Sequence, residues 1–337
     1  MTTETLAAYS LLAVYSAAVI YILAFVSYLV DLARRTSGEA GVSAAVGADA
    51  VGADAASAAS SASAGSAKAG TTVIAPAAPT TASGSRAGRP SRAARIGLAL
   101  TVLGFAVHVL AIVLRGIANG HAPWANMFEF AITGTAAIVG VYLVVLFLRD
   151  VRYIGSYITG LAALLLMLAS MNVYVDVAPL PPPLQSGWLV VHILVAVLGT
   201  GFFALGAGFS IFQLLQSRRE RGGTERPRFL RAFPAAEALE NLAYRVNVLG
   251  FAFWTFTLIA GAIWAEHAWG RYWGWDTKEV WTFIIWVVYA GYIHARATRG
   301  WRGTPSAWLS IVGFSAVIFN FTIVNLFFKG WHAYSGL

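Results

Sequence analysis

Residues 264–283 read WAEHAWGRYWGWDTKEVWTF, with five tryptophans in twenty positions and with Asp276, Lys278 and Glu279 among them. Long apolar runs stand on both sides, which predicts a loop between two membrane-spanning helices. Tryptophan is enriched at membrane interfaces whatever a protein does. An interfacial belt is normally distributed over many helix ends, however, and residues 264–286 hold six of the twelve tryptophans of the chain. We therefore interpret this cluster as an apolar aromatic platform.

The composition of the chain is that of a membrane protein. Of its 337 residues, 58% are hydrophobic and only 11% are charged, whereas soluble proteins carry about a quarter charged residues. A helix needs roughly 20 apolar residues to cross the hydrocarbon core. The sequence therefore predicts an all-α, polytopic membrane protein with eight transmembrane helices, at about 7–30, 96–115, 127–148, 153–171, 187–212, 246–265, 279–297 and 306–328.

The basic residues indicate how these spans are oriented. Nineteen of the 23 Lys and Arg residues lie after the first, third, fifth and seventh predicted spans. The positive-inside rule places these loops in the cytoplasm, so both termini are expected outside a plasma membrane. The basic loop 217–234 is expected near anionic lipid headgroups. This distribution explains the formal charge of +8 without nucleic acid as a partner.

Three regions follow from these patterns. Residues 1–36 read as an uncleaved N-terminal anchor, because their positive charge follows the apolar run, whereas a cleavable signal peptide has it before the run. Residues 37–95 are rich in Ala, Ser and Gly and are predicted to form a flexible cytoplasmic linker. Residues 96–337 are predicted to form the multi-span domain that carries the tryptophan cluster.

Two predicted external loops end in the same helix-starting pattern. Asn126 precedes Glu129 by three residues, and Asp276 precedes Glu279 by three residues. Such pairs can satisfy the free backbone N–H groups at a helix start. We therefore expect Asp276 and Glu279 to cap the seventh span.

A flat hydrophobic ligand would suit the aromatic platform, since large rings contribute stacking and burial. Arg271 and Lys278 are two of the four cations outside the predicted cytoplasmic loops, and both lie within this cluster. A flat apolar body with anionic groups on its edge matches both features, and haem has that shape and charge. The chain has no cysteine, so iron ligation would fall to histidine.

His192 and His332 are the candidate external iron ligands. His192 lies near the external end of the fifth span, with Trp188 four residues before it and Ala196 four residues after it on the same helical face. His332 follows the eighth span. The two could ligate one iron if these spans flank the platform. A helix-end histidine that only forms hydrogen bonds, or a tail residue in water, would show the same pattern.

Two further histidines lie within predicted spans, where ionisable residues are functional candidates. His294 is about three residues, or roughly 5 Å, from the cytoplasmic end of its span, whereas His108 is roughly 18 Å from the cytoplasmic end of the second. These depths disfavour a metal ion shared by the pair. His121 and His267 are loop residues expected to face solvent or to form hydrogen bonds.

The segment AWGRYWGWDTKEVWTFIIWVVYAGYIH resembles the tryptophan-rich WWD signature of haem-handling proteins in cytochrome c maturation. The chain is most similar to the CcsA or ResC type of the two-component System II machinery, a subunit sometimes called CcsB. The sibling CcmC and CcmF types share the motif, but CcmC is shorter and CcmF much longer. Thr277 stands where this family often has Pro, and the Ala/Ser/Gly-rich segment looks like an insertion.

The resemblance implies a site and a set of partners. It implies that His192 and His332 ligate the iron of haem b externally and that His294 is the membrane-embedded ligand, with His108 a weaker candidate for a second. It also implies that the motif residues hold and present the haem: Trp269, Trp273, Trp275 and Asp276. The implied partners are a ResB-like membrane subunit, an apocytochrome c with a CxxCH motif and a thioredoxin-like thiol reductant. The pair of subunits would act as a cytochrome c synthase (haem lyase).

Other classes of function remain open at this point. A membrane cytochrome b-type electron-transfer protein would need histidine pairs at matched depths. A secondary transporter would be favoured by inverted repeats with interrupted helices, and none is evident in the sequence. A scaffold with an aromatic belt would bind no haem.

Overall fold

The computed structural model describes residues 2–60, 91–222, 228–298 and 301–332, and the regular structure within these ranges is entirely helical. The all-α prediction is confirmed. Short 3-10 turns precede α4, α5 and α6. The helices of the described ranges are α1 Thr3–Ser60, α2 Arg92–Asn119, α3 Met127–Leu148, α4 Gly155–Asn172, α5 Gly187–Glu220, α6 Ala236–Trp269, α7 Thr277–Ala297, α8 Thr304–Phe321 and α9 Ile323–Phe327.

In the described part of the chain, seven helical stretches are long and apolar enough to cross a membrane. They correspond to seven of the eight predicted spans, so the chain is a multi-pass membrane protein. Helix α7 is absent from this set because its ends are polar, with Lys278 and Glu279 at one end and His294 and Arg296 at the other. Its 21 residues extend about 31 Å, so α7 remains a predicted span.

Several helices are longer than the apolar runs that predicted them. Helix α5 continues to Glu220 and α6 begins at Ala236, because a hydropathy pattern detects only the part of a helix that lies in hydrocarbon. Helix α1 continues to Ser60, so the boundary predicted at residue 36 does not end it. Alanine is the best helix former, which explains how the helix enters the predicted linker. Helix α2 begins at Arg92, which also lies within the predicted linker, and residues 61–90 lie outside the described residues.

The eighth predicted span is interrupted near its C-terminal end. Helix α8 stops at Phe321, and α9 restarts at Ile323 after Thr322, whose φ and ψ are −95° and −74°. The hydroxyl of Thr322 donates to the carbonyl of Ile318 at 2.7 Å, a local bond that competes with regular helix geometry. The sequence did not reveal this break, which brings polar groups to the C-terminal end of α8.

Helix α5 occupies the centre of the bundle, where it packs against α3, α6 and α8. Helices α1, α2 and α4 pack together on the far side of α3, and α7 packs against α6 and α8. Small residues allow these close approaches: a Cβ at Gly206 would lie 2.6 Å from Cγ of Asn247 on α6. The arrangement leaves a space between α3, α5, α6, α7 and α8 at the predicted external end.

Candidate ligand-binding cavity

The space between these helices is an open-mouthed cavity with a volume of about 220 Å³. Each surrounding helix contributes to the wall, for example Phe130 from α3, His192 from α5, Trp264 from α6, Lys278 from α7 and Phe321 from α8. The lining is mostly apolar. A cavity of this kind, with a few convergent polar groups, suits a ligand that is largely hydrophobic.

His192 is held in one orientation by its neighbours in the cavity wall. Its Nδ1 lies 3.0 Å from the carbonyl oxygen of Thr257 on α6. A carbonyl can only accept a hydrogen bond, so the ring proton is on Nδ1 and Nε2 carries the free lone pair. The ring stacks on Trp264, with centroids 5.8 Å apart and planes inclined by 15°. A Cβ at Gly261 would lie 2.7 Å from Cε1 of His192, so the absence of a side chain there makes room for the imidazole.

His332 lines the same cavity from the segment that follows α9. Its Nδ1 lies 2.7 Å from Oδ2 of Asp276, and its side chain is 18% exposed. Because a carboxylate only accepts, Nδ1 is again the protonated nitrogen. The ring packs edge-on against Trp264 and Trp269, at centroid distances of 5.5 and 4.8 Å.

The two predicted external ligands therefore face one cavity, and both flank Trp264. The centroid distances of the two imidazoles from Trp264, 5.8 and 5.5 Å, limit their mutual separation to about 11 Å. Metal-binding histidines usually donate their other N–H to a carbonyl or carboxylate, which is the arrangement of both. Within the described residues, no three His, Asp or Glu side chains form a metal cluster.

Asp276 connects the tryptophan loop to His332. It is the N-cap of α7 in a complete capping box with Glu279, as predicted. Its Oδ1 also accepts from the backbone N–H of Trp331 at 3.2 Å. Burial alone would raise the pKa of the Asp276 carboxyl, but the hydrogen bond from His332 and those from backbone N–H groups hold it below its usual value. Asp276 is therefore a carboxylate at neutral pH.

Lys278 brings an amino group to the cavity wall and bridges the break between α8 and α9. Its Nζ donates to the carbonyl oxygen of Asn320 at 3.2 Å and to Oδ1 of Asn325 at 2.5 Å. Lys278 is partly buried and lines the cavity. It can therefore face an anionic group on a bound ligand from the α7 side.

The motif tryptophans occupy three different environments. Trp273 lines the cavity. Trp269 packs edge-on against Trp264 and His332, which line the cavity. Trp275 is 72% exposed and contacts Trp273 edge-to-face. Its φ of 59° is left-handed, a conformation that costs a non-glycine residue roughly 1–2 kcal/mol. This turn leads the loop into the cap at Asp276.

Arg271 and Trp188 lie away from the cavity wall. The guanidinium of Arg271 stands 5.0 Å from the ring centroid of Trp331. Trp188 is 40% exposed and lines a separate shallow groove with His267 and the 182–187 segment. The structure thus places Lys278, but not Arg271, at the cavity.

The two predicted membrane-embedded histidines are not brought together. His294 is exposed on α7, which packs against α6 and α8. His108 is fully buried on α2, with Nδ1 3.4 Å from the hydroxyl of Tyr21, and α2 packs against α1 and α3. The mismatch in depth predicted from the sequence agrees with this separation. His121 and His267 each place Nδ1 2.8 Å from a backbone carbonyl.

The contacts of two cavity tryptophans could not be predicted from the sequence, although Trp264 belongs to the predicted aromatic platform. Trp254 and Trp264 are part of α6, and their N–H groups donate to the carbonyls of Thr282 and Pro183. The second of these bonds holds the 3-10 turn whose Leu184 lines the cavity. Helical spacing could have placed Trp264 and Gly261 on one face, but only the packing of α5 on α6 brings them to His192.

The α2–α3 loop supplies Trp124 to the cavity and is fixed by a buried ion pair. Arg115 Nε lies 3.0 Å from Glu129 Oε1, and both side chains are 1% exposed. Glu129 also accepts from Asn119 Nδ2 and from the backbone N–H of Ala125. Asn126 caps α3 through Glu129, as predicted. The loop is therefore tied to both helices that it joins.

Comparison with known proteins places this architecture among cytochrome c biogenesis proteins. Residues 98–332 match the family described as "Cytochrome C assembly protein". The cytochrome c biogenesis protein CcsA of Trieres chinensis is 31% identical over 252 residues, which cover 66% of this chain and 81% of the relative. CcsA of Guillardia theta is 31% identical, with 72% and 86% covered. CcsA of Chlamydomonas reinhardtii is 33% identical, with 67% and 64% covered.

Proposed function

This chain belongs to the cytochrome c assembly protein family and acts in cytochrome c biogenesis, and we propose that it does so by holding haem in the cavity described above. The cargo is haem b, and His192 and His332 are its external iron ligands. The observation that carries this proposal is that both imidazoles face one apolar cavity with Nδ1 already bound to oxygen. Each therefore has Nε2 free for iron.

The cavity residues fit this cargo in shape and in charge. Trp254, Trp264 and Trp273 give broad apolar walls, which suit a flat ring. Lys278 provides a cation for a carboxylate on the edge of the ring. The Nδ1 hydrogen bonds from His192 to Thr257 and from His332 to Asp276 fix the imidazoles before the ligand arrives, so little freedom is lost on binding.

Haem supplies the vinyl groups to which the two cysteines of a CxxCH apocytochrome c become attached. The contribution of this chain is to bind, orient and present. It contains no cysteine, so it does not compete with the acceptor for those groups. His294 is the candidate for holding haem during transfer across the membrane, and its exposed position on α7 would let a partner subunit supply another ligand.

The partners and location follow from the same proposal. A ResB-like membrane subunit would complete a cytochrome c synthase, a thioredoxin-like reductant would keep the acceptor thiols reduced, and lipid would surround the bundle. The cavity would open on the external face of the plasma membrane, with both termini on that side. The b-type electron-transfer alternative is less favoured, because α2 and α7 do not bring His108 and His294 together.

A haem titration of the purified protein tests the ligand assignment. We expect His192→Ala and His332→Ala each to lose the absorbance spectrum of bis-histidine haem. His267→Ala is the matched control, because His267 is an external, exposed histidine outside the cavity, and it should bind haem as the wild type does. Normal spectra and normal cytochrome c assembly in both cavity variants would refute the assignment.

A further inference from the structure

Trp124 differs in its hydrogen bonding from Trp254 and Trp264, two other tryptophans of the cavity wall. It lines the cavity from the α2–α3 loop, and its Nε1 is buried with no acceptor. The N–H groups of Trp254 and Trp264, in the same wall, donate to backbone carbonyls at 3.1 and 3.0 Å. A buried N–H without an acceptor is unfavourable, so a ligand group that accepts from Trp124 Nε1 would remove that cost.

The position of Trp124 is fixed independently of any ligand. The backbone N–H of Trp124 donates to the carbonyl of Ala122 at 2.8 Å. The next residue, Ala125, donates to Glu129, whose other oxygen pairs with Arg115 in the buried ion pair. An ion pair so deeply buried is expensive to form and rigid once formed. It holds the loop so that the Trp124 ring packs with the apolar cluster of Leu184, Leu189 and Ile193.

We propose that the indole N–H of Trp124 donates a hydrogen bond to a carboxylate of the bound ligand, and so selects for the free-acid form of a porphyrin. This inference rests on the proposed function and adds a specificity-determining residue to it. The periphery of protoporphyrin consists of hydrocarbon groups and two carboxylates, so the carboxylates are the peripheral groups that can accept this bond. Lys278, on the α7 side of the cavity, is the cation that faces the same class of group.

The test uses Trp124→Phe, which keeps an aromatic ring in the apolar cluster and removes the N–H. Ferric protoporphyrin IX and its dimethyl ester are each titrated into the purified full-length protein. We expect the variant to bind the free acid about tenfold more weakly than the wild type does, because hydrogen bonds to charged groups are the stronger ones. Binding of the ester, whose acceptors are uncharged, should weaken by less than about threefold.

Trp308→Phe is the matched control, because Trp308 is 51% exposed on α8 and lies outside the cavity wall. It should leave both affinities unchanged. The Soret spectrum of haem bound to Trp124→Phe should match that of the wild type, since the iron ligands are untouched, and binding of the ester shows that the variant is folded.

Two results would overturn the inference about Trp124 alone. Unchanged affinity for the free acid in Trp124→Phe would show that the N–H is not used. Equal weakening for the acid and the ester would show that the ring only packs. A wild-type protein that binds neither porphyrin would instead overturn the proposed function, on which the inference rests.

Discussion

Asp276 has two structural roles that can be separated by substitution. It caps α7, and its carboxylate accepts the Nδ1–H of His332. In Asp276→Asn the cap is retained, because Asn and Asp are equivalent N-caps, but the charge behind His332 is lost. We predict that haem affinity falls roughly 10- to 100-fold, as for other residues that support a metal ligand, while the free energy of unfolding changes by less than about 1 kcal/mol.

The comparison variant for this prediction is Asp276→Ala, which removes both roles. It should show the loss of haem affinity and, in addition, about 1 kcal/mol of destabilisation from the missing cap. Haem titration and thermal unfolding in detergent measure the two effects. Wild-type haem affinity in Asp276→Asn would mean that His332 does not depend on the carboxylate.

Gly261 is the residue whose size decides where the His192 ring can lie. A Cβ at this position would be 2.7 Å from Cε1 and 2.8 Å from Nδ1 of the imidazole. We predict that Gly261→Ala displaces the ring and lowers haem occupancy about as much as His192→Ala does, although alanine stabilises a helix interior by roughly 0.5–1 kcal/mol relative to glycine. The molar ratio of haem to purified protein measures the occupancy of each variant.

Gly291→Ala is the control for crowding, because a Cβ at Gly291 meets no atom within 4 Å. It should bind haem normally. A Gly261→Ala variant with full haem occupancy would show that His192 can move away from the methyl group and still ligate iron. The sequence predicted His192 and His332 as a pair and Trp264 as part of the platform, but it could not predict Gly261 or the stacking of Trp264 on His192, because these arise from the packing of α5 on α6.

The junction of α2 and α3 depends on the buried pair of Arg115 and Glu129. Removing one partner leaves an uncompensated charge in a position that is 1% exposed. We predict that Glu129→Gln lowers the free energy of unfolding by about 3–5 kcal/mol. Thermal unfolding in detergent, with and without haem, would measure the loss.

The double variant Arg115→Met with Glu129→Leu is the informative comparison for this element. Apolar side chains can replace a buried ion pair with little loss, so the double variant should be more stable than Glu129→Gln. A double variant no more stable than Glu129→Gln would show that the loss does not come from an unpaired buried charge. The cap at Asn126 could be predicted from the sequence, since the Asn–Glu spacing is local. The sequence could not reveal the ion pair, which joins residues on two helices.

At the scale of the whole molecule, hydropathy was sufficient to predict seven of the spans, because each of them is a long apolar helix. It was weakest for α7, where charged ends shorten the apolar run. The structure explains how α7 can nevertheless lie within the bundle. Arg296 Nε lies 3.0 Å from Glu240 Oε1 on α6, and Lys278 donates to Asn320 at the end of α8. Both charged ends therefore have partners on neighbouring helices.

If α7 crosses the membrane, the segment before α8 lies on the cytoplasmic side and the segment after α8 lies outside. The natural chain lacks cysteine, so single cysteines can be labelled without background. We predict that an impermeant maleimide labels Lys329→Cys in intact cells, and labels Arg302→Cys only after permeabilisation. Both positions are exposed. Thr2→Cys, at the exposed start of the chain, should be labelled in intact cells and serves as the external reference. If α7 did not cross, the pattern would reverse: Arg302→Cys would be labelled in intact cells and Lys329→Cys protected, which would place His332 on the cytoplasmic side, away from any external acceptor.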